Sequence, residues 1–274
     1  MVSIFSCEKT NTFLFDGGVS ENGVIHNADL LGIRIDQISG IILSHGHFDH
    51  FTGLPNVLKR TSSVRSSTVD IFLHPDAFLR RWEIYPYGKR ARLPFLDEKL
   101  LKELGATIGK NSEAKLFPTD ARSSLLITGE IPRNTSFERG FPFQYAEKPH
   151  NGVDDEKNMN LVPDPLVKDD QAIVVNIRNE GLVIITGCGH AGIINTINYA
   201  KQVTGIEKVY AVVGGFHLPA DGGVFEEAID PTLKELQKIS LYWLESNSKN
   251  NRFNARQIHS KWGLHYVYVL ESQY

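Results

Sequence analysis

Cysteine is scarce in this chain of 274 residues: Cys7 and Cys188 are the two present. The polar surroundings of the first and the glycine-rich surroundings of the second do not suit a pair, so a disulfide framework is excluded and a reducing compartment is expected. A basic excess is missing too. The net charge of −3 leaves no electrostatic footprint for nucleic acid, and no nucleic-acid partner is expected. No apolar run approaches the ~20 residues that span a bilayer, and the N-terminus has neither the basic region nor the apolar core of a signal peptide. The expectation is a cytoplasmic protein with no membrane partner. No internal repeat is long enough to indicate a solenoid.

What is present is a mixture of short apolar runs and helical spacing, with 41% hydrophobic residues, enough for one large domain. Strands are predicted at Thr12 to Phe15, Ile38 to Leu43, Val69 to Leu73, Ser123 to Thr128, Ala172 to Ile177, Leu182 to Thr186 and Lys208 to Val213. Helices are predicted at Val24 to Leu31, Pro55 to Lys59, Asp76 to Trp82, Asp97 to Leu104, Ile193 to Val203 and Phe225 to Ile239. The fold class is α/β. Phe141 to Asp170, rich in proline and acidic residues, reads as a long loop and a candidate lid. Arg80-Arg81 and Lys89-Arg90-Ala91-Arg92 are the main local excess of positive charge.

The densest chemistry lies in Ser44-His45-Gly46-His47-Phe48-Asp49-His50, directly after Ile41-Ile42-Leu43. Imidazole and carboxylate suit zinc, manganese or iron(II). A turn leaving a strand can aim His45 and His47 to one side while Asp49 and His50 reach a second point. Further candidates follow other apolar runs: His190 and Cys188 in Gly187-Cys188-Gly189-His190-Ala191-Gly192, His217 in Gly214-Gly215-Phe216-His217-Leu218, and Glu130 and Arg133 in Gly129-Glu130-Ile131-Pro132-Arg133. Arg133 is a candidate for pairing with a substrate phosphate or carboxylate. Asp16 can accept a hydrogen bond from a ligating imidazole. Asp169-Asp170-Gln171 reads as an ordinary polar start to the strand from Ala172.

The pattern His-x-His-x-Asp-His after a strand resembles the signature of the metallo-β-lactamase superfamily. Taken with the Gly-Glu-Ile-Pro-Arg, Gly-Cys-Gly-His-Ala-Gly and Gly-Gly-Phe-His-Leu segments, it is similar to the branch of 7,8-dihydropterin-6-methyl-4-(β-D-ribofuranosyl)aminobenzene-5′-phosphate synthase-like proteins, over about residues 12 to 240. The resemblance implies a four-layer αββα sandwich with a site for divalent metal, two zinc ions being expected and manganese or iron the alternatives, at one edge between the sheets. Two departures stand at the ends. About ten residues precede the strand ending at Phe15, which leaves little room for the edge strand that the family carries there. The His-Cys-Thr-Gly segment that supplies a late histidine in the family has no match. Residues 1–240 are therefore read as the domain, and 241–274 as an atypical tail in place of the last family strand and helix.

On this reading His45, His47 and His190 hold one metal and Asp49, His50 and His217 the other, with Asp49 orienting the nucleophile and Arg133 meeting a small anionic substrate. The expected activity is metal-dependent hydrolysis of an ester or phosphoester. A pterin-related synthase or lyase is one alternative. A catalytically impaired binding protein lacking the late histidine is the other.

Overall fold

Neighbouring residues in a strand point to opposite faces, and in the central strands of this chain both faces are apolar. In the computed structural model, which describes residues 2–5, 10–118, 124–147, 160–218, 223–239 and 242–245, the consequence is two sheets back to back with helices outside. The first half of the chain supplies β1 (Val2–Phe5), β2 (Thr10–Phe15), α1 (Gly23–Leu30), β3 (Gly40–Ile42), α2 (Phe48–Phe51), α3 (Leu54–Ser62), β4 (Val69–Leu73), β5 (Arg81–Ile84), β6 (Arg90–Arg92), α4 (Glu98–Glu103) and β7 (Ala106–Lys110). The second supplies β8 (Lys115–Pro118), β9 (Ser124–Ile127), β10 (Gln144–Glu147), β11 (Leu161–Pro163), β12 (Ile173–Ile177), β13 (Gly181–Ile185), α5 (Ile193–Thr204), β14 (Val209–Gly214), α6 (Glu226–Lys238) and β15 (Tyr242–Glu245).

One sheet runs β1-β2-β3-β4-β7 and the other β15-β14-β13-β12-β9-β8. Leu14, Ile41 and Ile71 face Ala28, Leu54 and Leu58 of the helices outside the first sheet. Their neighbours Phe13 and Ile42 turn the other way, to meet Leu125, Ile127, Ile173 and Ile185 between the sheets. Leu126, Val174 and Ile184 in turn pack on Ile193, Ile197 and Leu236 of α5 and α6. Three apolar layers between four structural ones make the αββα sandwich. Among the described residues, no helix is long and apolar enough to cross a membrane.

All seven predicted strands and five of the six predicted helices are found within a few residues of their expected bounds. The helix expected over Asp76 to Trp82 is not. Pro75 starts a short 3-10 turn ending at Phe78, Leu79 is extended, and the chain enters β5 at Arg81. A third, antiparallel sheet in the order β11-β10-β5-β6 is an addition to the expected elements. Its strands are three or four residues long and mix exposed with half-buried positions, so they carry no strong period. The described parts of the expected loop from Phe141 to Asp170 include β10 and β11; residues 148–159, on which the lid reading depends, lie outside the described residues.

Each chain end adds a strand to a sheet. Val2–Phe5 is an edge strand, antiparallel to β2. Tyr242–Glu245 lies parallel to β14 in the second sheet, so the sandwich continues past residue 240 and the tail begins with one of its strands. Residues 246–274, including His259 and His265, lie outside the described residues.

The helix after the His190 loop shows how the site region is held. Gly192, the residue before α5, provides no capping side chain. The cap comes instead from Glu138, a buried residue, which accepts hydrogen bonds from the N–H groups of Ile194 (2.8 Å) and Asn195 (2.9 Å). A β-carbon at position 192 would run into the Glu138 side chain, so glycine is required there. A carboxylate at a helix N-terminus satisfies orphan donors and meets the positive end of the helix. Glu138→Ala is expected to lower unfolding stability by about 1 kcal/mol, measured by denaturant titration.

Candidate metal centre

The loop leaving β3 turns tightly because Gly46 lies against the backbone of Ala77, where a β-carbon would clash. The Gly46 N–H donates to Asp169 Oδ2 at 2.7 Å. Asp169 is fully buried and forms a two-pronged ion pair with Arg81, itself 2% exposed. Arg81 also donates through Nε to Asp164 at 2.8 Å. Arg81, part of the local excess of positive charge in the sequence, is thus a buried brace between β5 and the histidine loop.

With the loop held, three imidazoles converge. His45 Nε2 lies 3.0 Å from His47 Nδ1, which lies 3.1 Å from His190 Nε2. The other ring nitrogens of two of them are engaged: His45 Nδ1 is 2.9 Å from Ser44 Oγ, and His47 Nε2 is 2.8 Å from the Gln144 side-chain amide. Burial holds the pKa of His45 and His190 well below the usual value. Burial, aided by the charge of Arg81, brings His47 down to about 4. The three rings are therefore neutral near pH 7, the state in which imidazole binds a metal. Shared protons cannot satisfy so many converging lone pairs; a cation at their centre does.

A second group forms beside the first. His45, His50 and Cys188 also bring ligand atoms within 4.8 Å of one another, with His50 Nε2 3.0 Å from Cys188 Sγ. Asp49 Oδ2 is 3.5 Å from His50 Nε2, and its side chain remains 42% exposed. His50 Nδ1 is 2.7 Å from Asp16 Oδ2. Asp16, with φ of 63°, also accepts the Ser44 N–H at 2.7 Å and the Ser44 hydroxyl at 2.9 Å. Burial opposes charge on His50, yet Cys188 and Asp16 together raise its pKa well above the usual value. Asp49 is pulled the other way: burial raises its pKa, and contact with His50 outweighs this, bringing it to about 2. This corner favours a positive charge. Imidazole, thiol and carboxylate groups around such a point are a donor set that fits a divalent ion, which would take the place of the proton on His50.

His217 is in neither of these groups of ligand atoms. Its ring packs on His190 with 4.0 Å between centroids, and its φ of 51° is unusual for a non-glycine residue. His217 was expected in the second set; Cys188 is the residue whose ligand atom groups with those of His45 and His50. Glu130 is near Lys168 instead, at 3.5 Å. Arg133 is engaged with backbone. Its Nη groups donate to the carbonyls of Ile131, Leu166 (2.5 Å) and Val167 (3.0 Å), so it ties two loops together and those donors are not free for a substrate anion.

Several residues around the centre escape sequence reasoning. Gln144 sits on a strand of the additional sheet. Asp169 and Asp170 look in the sequence like a polar strand start, yet both are buried. Asp170 Oδ2 accepts the Ala191 N–H at 2.6 Å, its Oδ1 lies 3.9 Å from His45 Nδ1, and burial pushes its pKa up to about 7. The available signal is two acids immediately before the apolar run Ala172 to Val175. Asp16→Asn keeps a residue that tolerates the left-handed backbone and removes the negative charge beside His50. It is expected to weaken zinc binding by about 10–100-fold with an unchanged circular dichroism spectrum, measured by chelator competition.

The comparisons with known proteins bear on the family. The sequence model of the metallo-beta-lactamase superfamily matches residues 3–201. The chain is 32% identical over 229 residues to the 7,8-dihydropterin-6-methyl-4-(beta-D-ribofuranosyl)-aminobenzene-5′-phosphate synthase of Methanocaldococcus jannaschii, covering 83% of this chain and 71% of that protein. It is 30% identical over 206 residues to an uncharacterized protein of the same organism, covering 75% and 67% respectively. A crystal structure of a metal-dependent hydrolase of the beta-lactamase superfamily aligns with a TM-score of 0.60 and 25% identity, over 83% of this chain and 75% of that one. The resemblance carried by the histidine motif thus extends through sequence and fold alike, and the chain belongs to the metallo-β-lactamase superfamily.

Proposed function

We propose that this protein is a divalent-metal-dependent hydrolase acting on a small anionic ester or phosphoester. The observation that carries the reading is the convergence of His45, His47 and His190 as neutral imidazoles, the first and last buried and His47 half-buried, beside the half-exposed, ionised Asp49. His45, His47 and His190 would hold one ion; His50, Cys188 and Asp49 would hold a second, the sulfur favouring zinc. Such ions, when bound, supply Lewis acidity and make water a competent nucleophile near neutral pH.

The chain's own residues do the positioning. Gln144 fixes the His47 ring and Asp16 the His50 ring, each through the nitrogen turned away from the centre or towards its rim. Asp49 keeps its charge at neutral pH and presents an acceptor that can orient an attacking water. Ser44 joins the two halves, since its hydroxyl lies within 2.9 Å of both Asp16 and His45. An anionic substrate is supported by the exposed Lys89 and Arg90 at the start of β6 in the third sheet.

A second reading, a synthase acting on a phosphorylated pterin precursor, is favoured by the identity to the archaeal synthase. Turnover separates the two: release of alcohol from simple esters or phosphoesters supports hydrolysis, whereas conversion confined to a phosphorylated pterin precursor supports the synthase.

Metal content per chain, measured by plasma mass spectrometry on protein purified without chelator, is expected to be about two equivalents. One equivalent or none would favour the impaired binding protein instead. His47→Ala is expected to lose metal and turnover together, and full activity in that variant would refute the assignment.

A further inference from the structure

Six half-buried or exposed rings form a continuous strip that begins at the metal centre. From His190 the path runs to His217 (4.0 Å between centroids), then Phe225 (4.9 Å), Phe141 (6.0 Å, with planes 19° apart), Phe143 (5.4 Å), Tyr85 (5.3 Å) and Tyr87 (5.2 Å). The rings come from four separate segments: the loops after β14 and before α6, the approach to β10, and the turn between β5 and β6. None of the six belongs to the three apolar cores. They retain accessible surface along the whole path, reaching 72% exposure at Tyr87.

Apolar surface left accessible in one connected strip, with one end against a ligand candidate, is surface kept for a binding partner. Its chemistry is narrow. Ring faces and edges offer offset stacking and edge-to-face contacts, which favour another flat ring over an aliphatic chain of similar area. A substrate whose reacting group sits among His45, His47 and His190 has its remainder directed along His217 onto Phe225 and Phe141.

We infer that the substrate carries a flat aromatic ring, bound on Phe141 and Phe225, next to the group that reacts at the metal centre. The inference rests on the metal-centred reading of the site given above. It makes Phe141 and Phe225 specificity-determining residues, acting through binding and not through the bond-breaking step.

The test uses the zinc-loaded full chain and two non-hydrolysable probes with the same head group, naphthylphosphonate and butylphosphonate, with affinities measured by calorimetry. The naphthyl probe is expected to bind about tenfold more tightly, a margin of the size that ring stacking provides. Phe141→Ala and Phe225→Ala are each expected to reduce that margin at unchanged zinc content. Phe95→Ala, which removes an exposed ring outside the strip, is expected to retain it. Equal affinity of the two probes, no binding of either, or a margin that survives both strip variants would overturn the inference. Failure to hydrolyse naphthyl phosphate while the phosphonate margin stands would count against the hydrolase reading and leave the aromatic subsite supported.

Discussion

The pair of Asp169 and Arg81 is the constraint around which the rest of the centre is arranged. Two opposite charges withdrawn from water are tolerated only when their hydrogen-bonding capacity is met. Here Asp169 takes two contacts from Arg81 and one from the Gly46 N–H, while Arg81 turns its remaining edge to Asp164. These bonds join three pieces of chain: β5 of the small sheet, the histidine loop after β3, and the approach to β12. Because Gly46 stands between His45 and His47, fixing its N–H fixes the spread of both imidazoles. The same small sheet presents Gln144 to His47, so one element braces the loop at two points.

Electrostatics within the centre follow from that rigidity. Burial makes His45, His47 and His190 poor bases, so nitrogen lone pairs face one another without protons to bridge them all. Around His50 the balance reverses, since Asp16 and Cys188 favour a positive charge there. The side chains by themselves thus oppose one another in a way that a cation relieves, and the binding energy of the ion becomes stability of the fold. The layers outside are suited to bear this opposition, because each central strand is anchored on both faces by apolar neighbours.

Much of this was legible in the sequence. The strands ending near Phe15, Ile42, Ile185 and Val213 announce themselves by apolar runs that meet glycine or histidine, and the His45–His50 segment carries its chemistry in its spacing. The small sheet was hidden because segments such as Arg81-Trp82-Glu83-Ile84 interleave polar and apolar groups in proportions that suit a helix as well. Arg81 itself looks like surface charge beside Arg80, since the carboxylate that permits its burial stands 88 residues away. Cys188 and His217 each follow a strand and a glycine, so only the three-dimensional path separates them. The His217 ring lies between His190 and Phe225, at 4.0 and 4.9 Å between centroids, while Cys188 groups with His45 and His50.

The distances along the chain between partners have a further meaning. Gly46 meets Asp169 across 123 residues, and His47 meets His190 across 143. Loop closure over such spans must precede the contacts that reward it. A nascent chain halted before residue 190 has the complete histidine motif and no centre. The full group of His45, His47 and His190 therefore exists only once the second sheet has docked on the first, so the centre reports on the completeness of the sandwich as a whole.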